Sequence, residues 1–225
     1  MTILNLSLSP VELNVVVDSL AYVSEGSSLT VNANTTKFTV LAHLNAVLAS
    51  AGSQFTYDRF EKWLKVAPLQ TIDDVAEHAP AILSAIVALK REELGTDTLT
   101  ESAEFFIVGG YSTRQNKVVV WSWMTDDGIE TLHGWAKAPT VLIPPLSNPP
   151  GGKLPPLDLL LKAADLQVKE YGNTLGGELH HVKVSKKGIA CSVARRMPNH
   201  TQAWADISAN RDDLFDAAER IATAF

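Results

Sequence analysis

The first forty residues constrain the fold of this chain most strongly, because short apolar runs alternate there with polar turns. Thr2 directly precedes a predicted strand from Ile3 to Ser7, in which leucines alternate with polar residues. A turn at Pro10 leads into a second apolar run that ends at Asp18, and a polar stretch then leads to a third strand that begins around Lys37. This order predicts strands that bring a hydroxyl, a carboxylate and an ammonium group into the same part of the molecule.

The composition indicates an ordinary globular protein. The chain has 225 residues, of which 46% are hydrophobic, so we expect one domain that spans residues 1–225 and has a substantial core. Its net charge of −6 argues against a nucleic-acid-binding protein, which usually has a basic surface. The chain has no evident signal peptide and no apolar run long enough to span a bilayer, so we expect a cytoplasmic protein that does not bind membranes.

The remainder of the chain alternates between blocks of helices and blocks of strands, which predicts an α+β fold of stacked antiparallel sheets covered by helices. The apolar pattern predicts helices over Tyr57 to Val66, Thr71 to Leu94 with a possible break at Pro80, Leu157 to Tyr171 and Arg211 to Phe225. It predicts strands over Glu104 to Gly110, Lys117 to Met124, Val141 to Ile143, Leu179 to Val184 and Ile189 to Val193. The proline- and glycine-rich stretch from Pro144 to Pro156 is predicted to be a loop.

Metal and cofactor sites are not indicated by the sequence. Adjacent side chains on a strand point to opposite faces, so His180 and His181 are not expected to share a metal ion. Cys191 is the one cysteine and lies on an apolar strand, where a small core residue is the usual interpretation. We therefore predict that the protein uses no cofactor.

The order of elements and three short stretches resemble the proteasome β-subunit and HslV family. The first stretch runs from Thr2 through Asp18 to Lys37. The second comprises the apolar strand that ends at Gly109–Gly110 and the strand that follows it. The third comprises the helix before Gly172, the turn at Gly176–Gly177 and the following hairpin. The resemblance implies a four-layer α/β/β/α sandwich of the N-terminal-nucleophile hydrolase type.

The chain departs from the family's pattern on one side of the expected site. The family has an aspartate and a serine before the Gly-Gly turn, and this chain has Gly172 and Leu175 at those positions. The glycine- and serine-containing strand end that supports the site in the family is also not clear around Gly134.

The resemblance implies catalytic roles for Thr2, Asp18 and Lys37 and a binding role for Gly52. A threonine hydroxyl needs an adjacent base, which a free α-amine can provide if Met1 is removed. In this interpretation Lys37 lowers the pKa of that amine, Asp18 orients Lys37, and the Gly52 N–H stabilises an oxyanion. Taken alone, the same residues are also explained as a chance second residue, a turn aspartate, a solvated lysine and a glycine that ends an element.

Two functions are therefore open from the sequence. One is a threonine-dependent hydrolase of peptides or other amides. The other is a catalytically inactive subunit of the same fold that acts in assembly or binding. In both cases the resemblance implies a homo-oligomer, possibly a ring.

Overall fold

The computed structural model describes residues 2–25, 28–34, 36–94, 104–125, 129–131, 140–172 and 175–200. The strands in these ranges are β1 Leu4–Leu8, β2 Glu12–Asp18, β3 Leu20–Glu25, β4 Ser28–Asn34, β5 Phe38–Leu41, β6 Ala46–Ala51, β7 Glu104–Ser112, β8 Lys117–Thr125, β9 Ile129–Thr131, β10 Thr140–Ile143, β11 Glu178–Ser185 and β12 Gly188–Arg196. The helices are α1 Gln54–Val66, α2 Ile72–Leu94 and α3 Pro156–Tyr171. The fold is therefore α+β, as predicted.

The strands form two larger antiparallel sheets. In the first, which we call the β1 sheet, the order is β10-β1-β2-β11-β12, and in the second, the β6 sheet, it is β5-β6-β7-β8-β9. Every strand pair in both sheets is antiparallel. Among the described strands, β3 and β4 pair only with each other and form a separate hairpin.

The two large sheets pack face to face through an apolar core. Leu6, Val15 and Val17 of the β1 sheet lie in one buried cluster with Val47 and Ile107 of the β6 sheet. These side chains come from alternate positions on their strands, so the opposite face of each sheet is left to pack against helices. Burying both faces explains why the apolar runs in β2 and β7 are nearly continuous.

Helices α1 and α2 cover the outer face of the β6 sheet. Phe60 and Leu64 of α1 and Val75 and Leu83 of α2 join one buried cluster with side chains of the sheet such as Phe106. The predicted break in α2 does not occur, because the helix continues from Ile72 to Leu94 through its internal proline. The buried residues on both sides of this proline hold the helix against the sheet and offset the lost backbone hydrogen bond.

Helix α3 covers the outer face of the β1 sheet. Leu160 and Ala164 pack against Ile3 and Val16 in a third buried cluster. The three clusters give the order helices, sheet, sheet, helix, which is compatible with the predicted four-layer sandwich. Within the ranges given above, no helix is both long enough and apolar enough to cross a membrane.

Several predictions from the sequence differ from the structure in their boundaries. Helix α1 begins three residues before the predicted Tyr57, because the Ser53 hydroxyl accepts a hydrogen bond from the Thr56 N–H and caps the helix. The β3–β4 hairpin replaces the predicted polar turn between Asp18 and Lys37. The predicted helix from Arg211 to Phe225 lies outside the described residues.

The aromatic cluster around Phe60 makes a large contribution to the stability of the helical layer. Phe60 is fully buried, and its ring centroid lies 5.6 Å from that of Trp63, 5.7 Å from Phe106 and 6.0 Å from Trp123. We expect Phe60→Leu to lower the free energy of unfolding by about 1–2 kcal/mol, because the smaller side chain loses these ring contacts. Urea denaturation measures this change.

Val66 on the same helix provides the matched control for this prediction. Its side chain is 72% exposed, so Val66→Ala should change the free energy of unfolding by less than about 0.5 kcal/mol. Equal losses from the two substitutions would contradict the assignment of Phe60 to the core between α1 and the β6 sheet.

Candidate functional site

The β1–β2 hairpin brings Thr2 and Asp18 to the same end of the β1 sheet. Leu4 pairs with Val17, and the Asp18 N–H donates a hydrogen bond to the Ile3 carbonyl 3.3 Å away. Thr2 therefore enters β1 next to the residue at which β2 ends. This proximity follows from the antiparallel register alone, since each residue nearer the chain start pairs with one further along β2.

Asp18 is completely buried and its carboxylate is held by three donors. Oδ1 accepts hydrogen bonds from the Ile3 N–H at 3.0 Å and from the Lys37 ammonium at 2.7 Å. Oδ2 accepts from the Gly176 N–H at 3.1 Å. A buried carboxylate needs such partners, because without them its desolvation would be very unfavourable.

Lys37 links Asp18 to Thr2. Its ammonium nitrogen Nζ lies 2.7 Å from Asp18 Oδ1 and donates to Thr2 Oγ1 at 3.2 Å. The Lys37 side chain is only 12% exposed, so its position is fixed between the carboxylate and the hydroxyl. Lys37 lies immediately before β5, which places it at the edge of the β6 sheet and brings the two sheets together at this site.

The Gly176–Gly177 turn forms the support of Asp18 on the β11 side. Gly176 has a φ of 136°, a conformation that strongly favours glycine, and a Cβ there would lie 2.3 Å from Asn199 Oδ1. The Ser19 N–H donates to the Gly176 carbonyl at 3.3 Å, and the Glu178 N–H donates to the Ser19 hydroxyl at 2.8 Å. The turn is thus fixed on both sides while its N–H contacts Asp18.

The two departures from the family's pattern have structural explanations in this turn. Leu175 is fully buried and packs in the cluster between α3 and the β1 sheet, so this position is part of the core. Gly172 ends α3 with a φ of 82°, and its N–H donates to the Val168 carbonyl. Residues 173–174, and the segment around Gly134 in which the supporting strand end was not clear from the sequence, lie outside the described residues.

Gly52 lies at the end of β6, on the side of the β6 sheet where Lys37 is found. Phe38 pairs with Ala49 in the antiparallel β5–β6 ladder, so the residue before β5 and the residues that end β6 are at the same end of the sheet. Gly52 is exposed and is followed by Ser53, the N-cap of α1. Its role as a hydrogen-bond donor to a ligand stays a prediction.

The side chains of His180 and Glu178 lie next to the site. The rings of Phe38 and His180 are 5.9 Å apart, and His180 Nε2 lies 3.9 Å from Glu178 Oε2. Burial lowers the pKa of His180, and the nearby carboxylates of Glu178 and Asp18 raise it by less. Burial likewise lowers the pKa of His181, whose Nε2 is 2.9 Å from Asn14 Oδ1.

Because the pKa values of these two histidines are lowered in the folded protein, we predict that the protein is less stable in mild acid. A lowered pKa in the folded state means that the unfolded chain binds more protons once the pH falls below the reference value of 6.5. We therefore expect the free energy of unfolding to decrease as the pH falls from about 7.5 to about 5. The double variant His180→Phe and His181→Gln should show a shallower decrease in urea denaturation, and an unchanged slope would contradict the prediction.

The site combines a hydroxyl, an ammonium group and a buried carboxylate. Within residues 2–25, 28–34, 36–94, 104–125, 129–131, 140–172 and 175–200, no cluster of three histidine, cysteine, aspartate or glutamate side chains could hold a metal ion.

Cys191 is exposed, in contrast to the predicted core position, because it lies on the edge strand β12.

The sequence-based prediction included Thr2, Asp18 and Lys37, which the structure brings together, but it did not include two contributors to the site. The Gly176 N–H and the Ser19 hydroxyl both fix the surroundings of Asp18. Backbone donors are hard to predict from a sequence. The Gly-Gly pair directly before a strand was the one signal for this turn.

Comparisons with solved structures place the fold among the Anbu proteins. No protein-family model and no curated protein matches the chain. An Anbu mutant from Hyphomicrobium sp. strain MC1 is similar with a TM-score of 0.59 and 13% identity over 99% of this chain and 100% of that one. Anbu from Yersinia bercovieri, described as an ancestral beta-subunit, gives a TM-score of 0.58 and 14% identity over 97% of both chains.

This finding corrects the resemblance to the proteasome β-subunit and HslV family. The structural neighbours are Anbu proteins, a distinct family that is proteasome-like, and similarity to their fold does not by itself imply a catalytic N-terminal threonine. The short motifs around Thr2, Asp18 and the Gly176–Gly177 turn form the hairpin and turn contacts of the fold, so they indicated the fold and not the family. At 13–14% identity the comparison establishes that the chain has the fold of the Anbu proteins.

Proposed function

We propose that this chain is an amide-bond hydrolase in which the Thr2 hydroxyl is the nucleophile once residue 1 has been removed. The observation that supports the proposal best is the position of the Lys37 ammonium, 3.2 Å from Thr2 Oγ1 and 2.7 Å from Asp18 Oδ1. In this arrangement the hydroxyl is the nucleophile, and the cation and the buried carboxylate support it beside the base. The proposed substrates are peptides or other small amides.

The proposed reaction uses the free α-amine of Thr2 as the base. The amine accepts the proton of the hydroxyl while Oγ1 attacks the carbonyl carbon, and it then delivers that proton to the departing nitrogen. Water hydrolyses the resulting ester and restores Thr2. A free α-amine has a pKa of about 7.7–8.0, so about a tenth to a sixth of it is neutral at pH 7 and can accept a proton.

Lys37 and Asp18 have supporting roles in this proposal. The Lys37 ammonium lies close enough to Thr2 Oγ1 to stabilise negative charge that develops on the oxygen. Asp18 is fully buried and balances the lysine's charge, while its bond to the Ile3 N–H holds the backbone next to Thr2. Gly52 is proposed to donate its N–H to the oxygen of the scissile carbonyl.

A cleavable N-terminal extension placed before Thr2 tests this proposal with one preparation of protein. Uncleaved protein should be inactive towards a panel of fluorogenic peptide amides, because the Thr2 nitrogen is then an amide and cannot accept a proton. Cleavage that exposes Thr2 should produce hydrolysis. Equal activity before and after cleavage would contradict the role of the α-amine, and no hydrolysis of any amide after cleavage would contradict the proposed function.

We further propose that copies of this chain assemble into a homo-oligomer, with residues 1–225 of each copy forming one domain of the four-layer type. The structural neighbour from Yersinia bercovieri is described as an ancestral beta-subunit, which supports this proposal. The outer surface of α1 and α2 also carries an apolar groove that includes Trp63, Leu69 and Ile82. If the chain is catalytically inactive, assembly into such an oligomer is the alternative function. Native mass spectrometry tests the proposed assembly, and a strict monomer at micromolar concentration would contradict it.

A further inference from the structure

A buried carboxylate lies directly beside Gly52 at the start of β7. Ala51 pairs with Phe105 in the β6–β7 ladder, so Glu104 is the neighbour of Gly52 in the adjacent strand. The two residues are so close that a Cβ on Gly52 would lie 2.8 Å from the Cβ of Glu104. Only 6% of the Glu104 side chain is exposed.

One oxygen of this carboxylate joins three elements of the fold. Glu104 Oε1 accepts hydrogen bonds from the Ser53 hydroxyl at 2.5 Å and from the Lys90 ammonium of α2 at 2.5 Å. Ser53 is both the residue after Gly52 and the N-cap of α1. The contacts therefore connect β7, α2 and the first turn of α1 at the peptide that follows Gly52.

The other oxygen of Glu104 is unusual for a structural ion pair. Within the part of the chain that the structure describes, Oε2 is buried and accepts no hydrogen bond. Burying a charged pair with one acceptor unsatisfied is unfavourable, and an apolar pair of similar volume would often give a fold of equal or greater stability. The buried Glu104 carboxylate is therefore explained better by a role in positioning the neighbouring backbone than by a contribution to the stability of the fold.

We propose that Glu104 is a positioning residue that fixes the orientation of the Gly52 N–H through Ser53. This inference rests on the proposed function, in which that N–H stabilises the oxyanion. The shared oxygen fixes Ser53, Ser53 fixes the backbone on the carbonyl side of Gly52, and the close approach of Glu104 limits its movement on the other side. Glu104 itself does not contact the substrate.

The expected effect on the kinetics depends on the fact that the oxyanion charge develops in the transition state and is absent from the bound substrate. The Gly52 N–H would bind the developing charge more strongly than the ground-state carbonyl, so misorienting it should lower kcat and leave KM nearly unchanged. Removing an oxyanion donor lowers kcat by about 10²–10³-fold, and a donor that is present but misplaced should give a smaller loss of about tenfold.

Four variants separate positioning from simple stabilisation. Glu104→Leu removes the acceptor of the Ser53 hydroxyl and Ser53→Ala removes its donor, and both should lower kcat about tenfold with KM changed less than about twofold. Ser53→Thr keeps the hydroxyl and should retain the wild-type kcat. Glu93→Gln is the matched control, because it breaks the exposed Arg59–Glu93 ion pair between the same two helices. An unchanged kcat in Glu104→Leu, or an equal loss in Ser53→Thr, would overturn the proposal.

Amide hydrogen exchange provides a readout that does not depend on activity. In the positioning account, peptides that cover residues 50–57 exchange about tenfold faster in Glu104→Leu than in wild type or Glu93→Gln. Unchanged exchange would show that Glu104 does not order this backbone and would overturn the proposal. Faster exchange in a protein whose wild type hydrolyses no amide would retain the structural link but contradict both the proposed function and the catalytic purpose of the positioning.

Discussion

Thr2→Val is expected to lower the rate of amide hydrolysis by about a thousandfold or more, because it removes the proposed nucleophile and keeps the shape of the side chain. Thr2 Oγ1 accepts a hydrogen bond from Lys37 Nζ at 3.2 Å, so the valine loses one contact at a partly exposed position. We expect only a small change in stability. Hydrolysis of a fluorogenic peptide amide and urea denaturation, both measured on protein with a free residue 2 amine, test the two expectations.

Thr2→Ser is the matched control for this prediction. The serine keeps a hydroxyl on the same carbon and should retain measurable hydrolysis, since the base and the supporting groups are unchanged. Wild-type activity in Thr2→Val would exclude Thr2 as the nucleophile. Loss of activity in both variants together with a large loss of stability would indicate a structural role for the threonine and contradict the catalytic one.

Asp18→Asn is expected to reduce both stability and activity. The carboxylate is completely buried and accepts hydrogen bonds from the Ile3 N–H, the Gly176 N–H and Lys37. An asparagine leaves the Lys37 ammonium without its counter-charge, and its NH₂ group has to face a donor. Removing one partner of a buried ion pair costs about 3–5 kcal/mol, which we expect to see as a lower free energy of unfolding.

The activity of Asp18→Asn should fall by about a hundredfold, because Lys37 is no longer held at its position beside Thr2. Asp165→Asn is the matched control, since Asp165 pairs with Arg195 at 3.1 Å on the surface, where 41% of its side chain is exposed. An exposed pair contributes less than about 1 kcal/mol. Equal effects of the two substitutions on unfolding would contradict the buried network described around Asp18.

The proximity of Thr2 to Asp18 was predictable because it depends on one hairpin. A turn at Ser9–Pro10 and two apolar runs of similar length allow only a register that brings the end of the second strand next to the start of the first. Lys37 was predictable for a related reason, since it precedes a strand that begins near the same end. Helix α3 and the β11–β12 hairpin were predicted within a few residues, because their periodicity and turn residues are local signals.

The rest of the site depends on contacts between distant segments. The Gly176 N–H reaches Asp18 across 158 positions in the chain, and Glu104 reaches Ser53 across 51. No local pattern indicates such contacts. Leu175 illustrates the same point, because its burial between α3 and the β1 sheet explains a substitution that from the sequence looked like the loss of a functional hydroxyl.

The similarity to the Anbu fold could not be recognised from the sequence for the same physical reason. The motifs that resembled the proteasome β-subunit and HslV family serve contacts that stabilise the fold, such as the packing of the Gly176–Gly177 turn against Ser19 and Asn199. The comparison of whole structures was therefore required to place the fold among the Anbu proteins.

Trapping the covalent intermediate tests the central claim most directly. Protein with a free Thr2 amine is mixed with an activated ester of a short peptide acid, the reaction is stopped with acid, and the mass of each proteolytic peptide is measured. We predict that one acyl group is attached to the peptide that begins at Thr2 as an ester, which hydroxylamine removes, and that no such ester forms in Thr2→Val. A hydroxylamine-sensitive acyl group attached only elsewhere, or equal hydroxylamine-sensitive labelling of Thr2→Val, would contradict the assignment of Thr2 as the nucleophile.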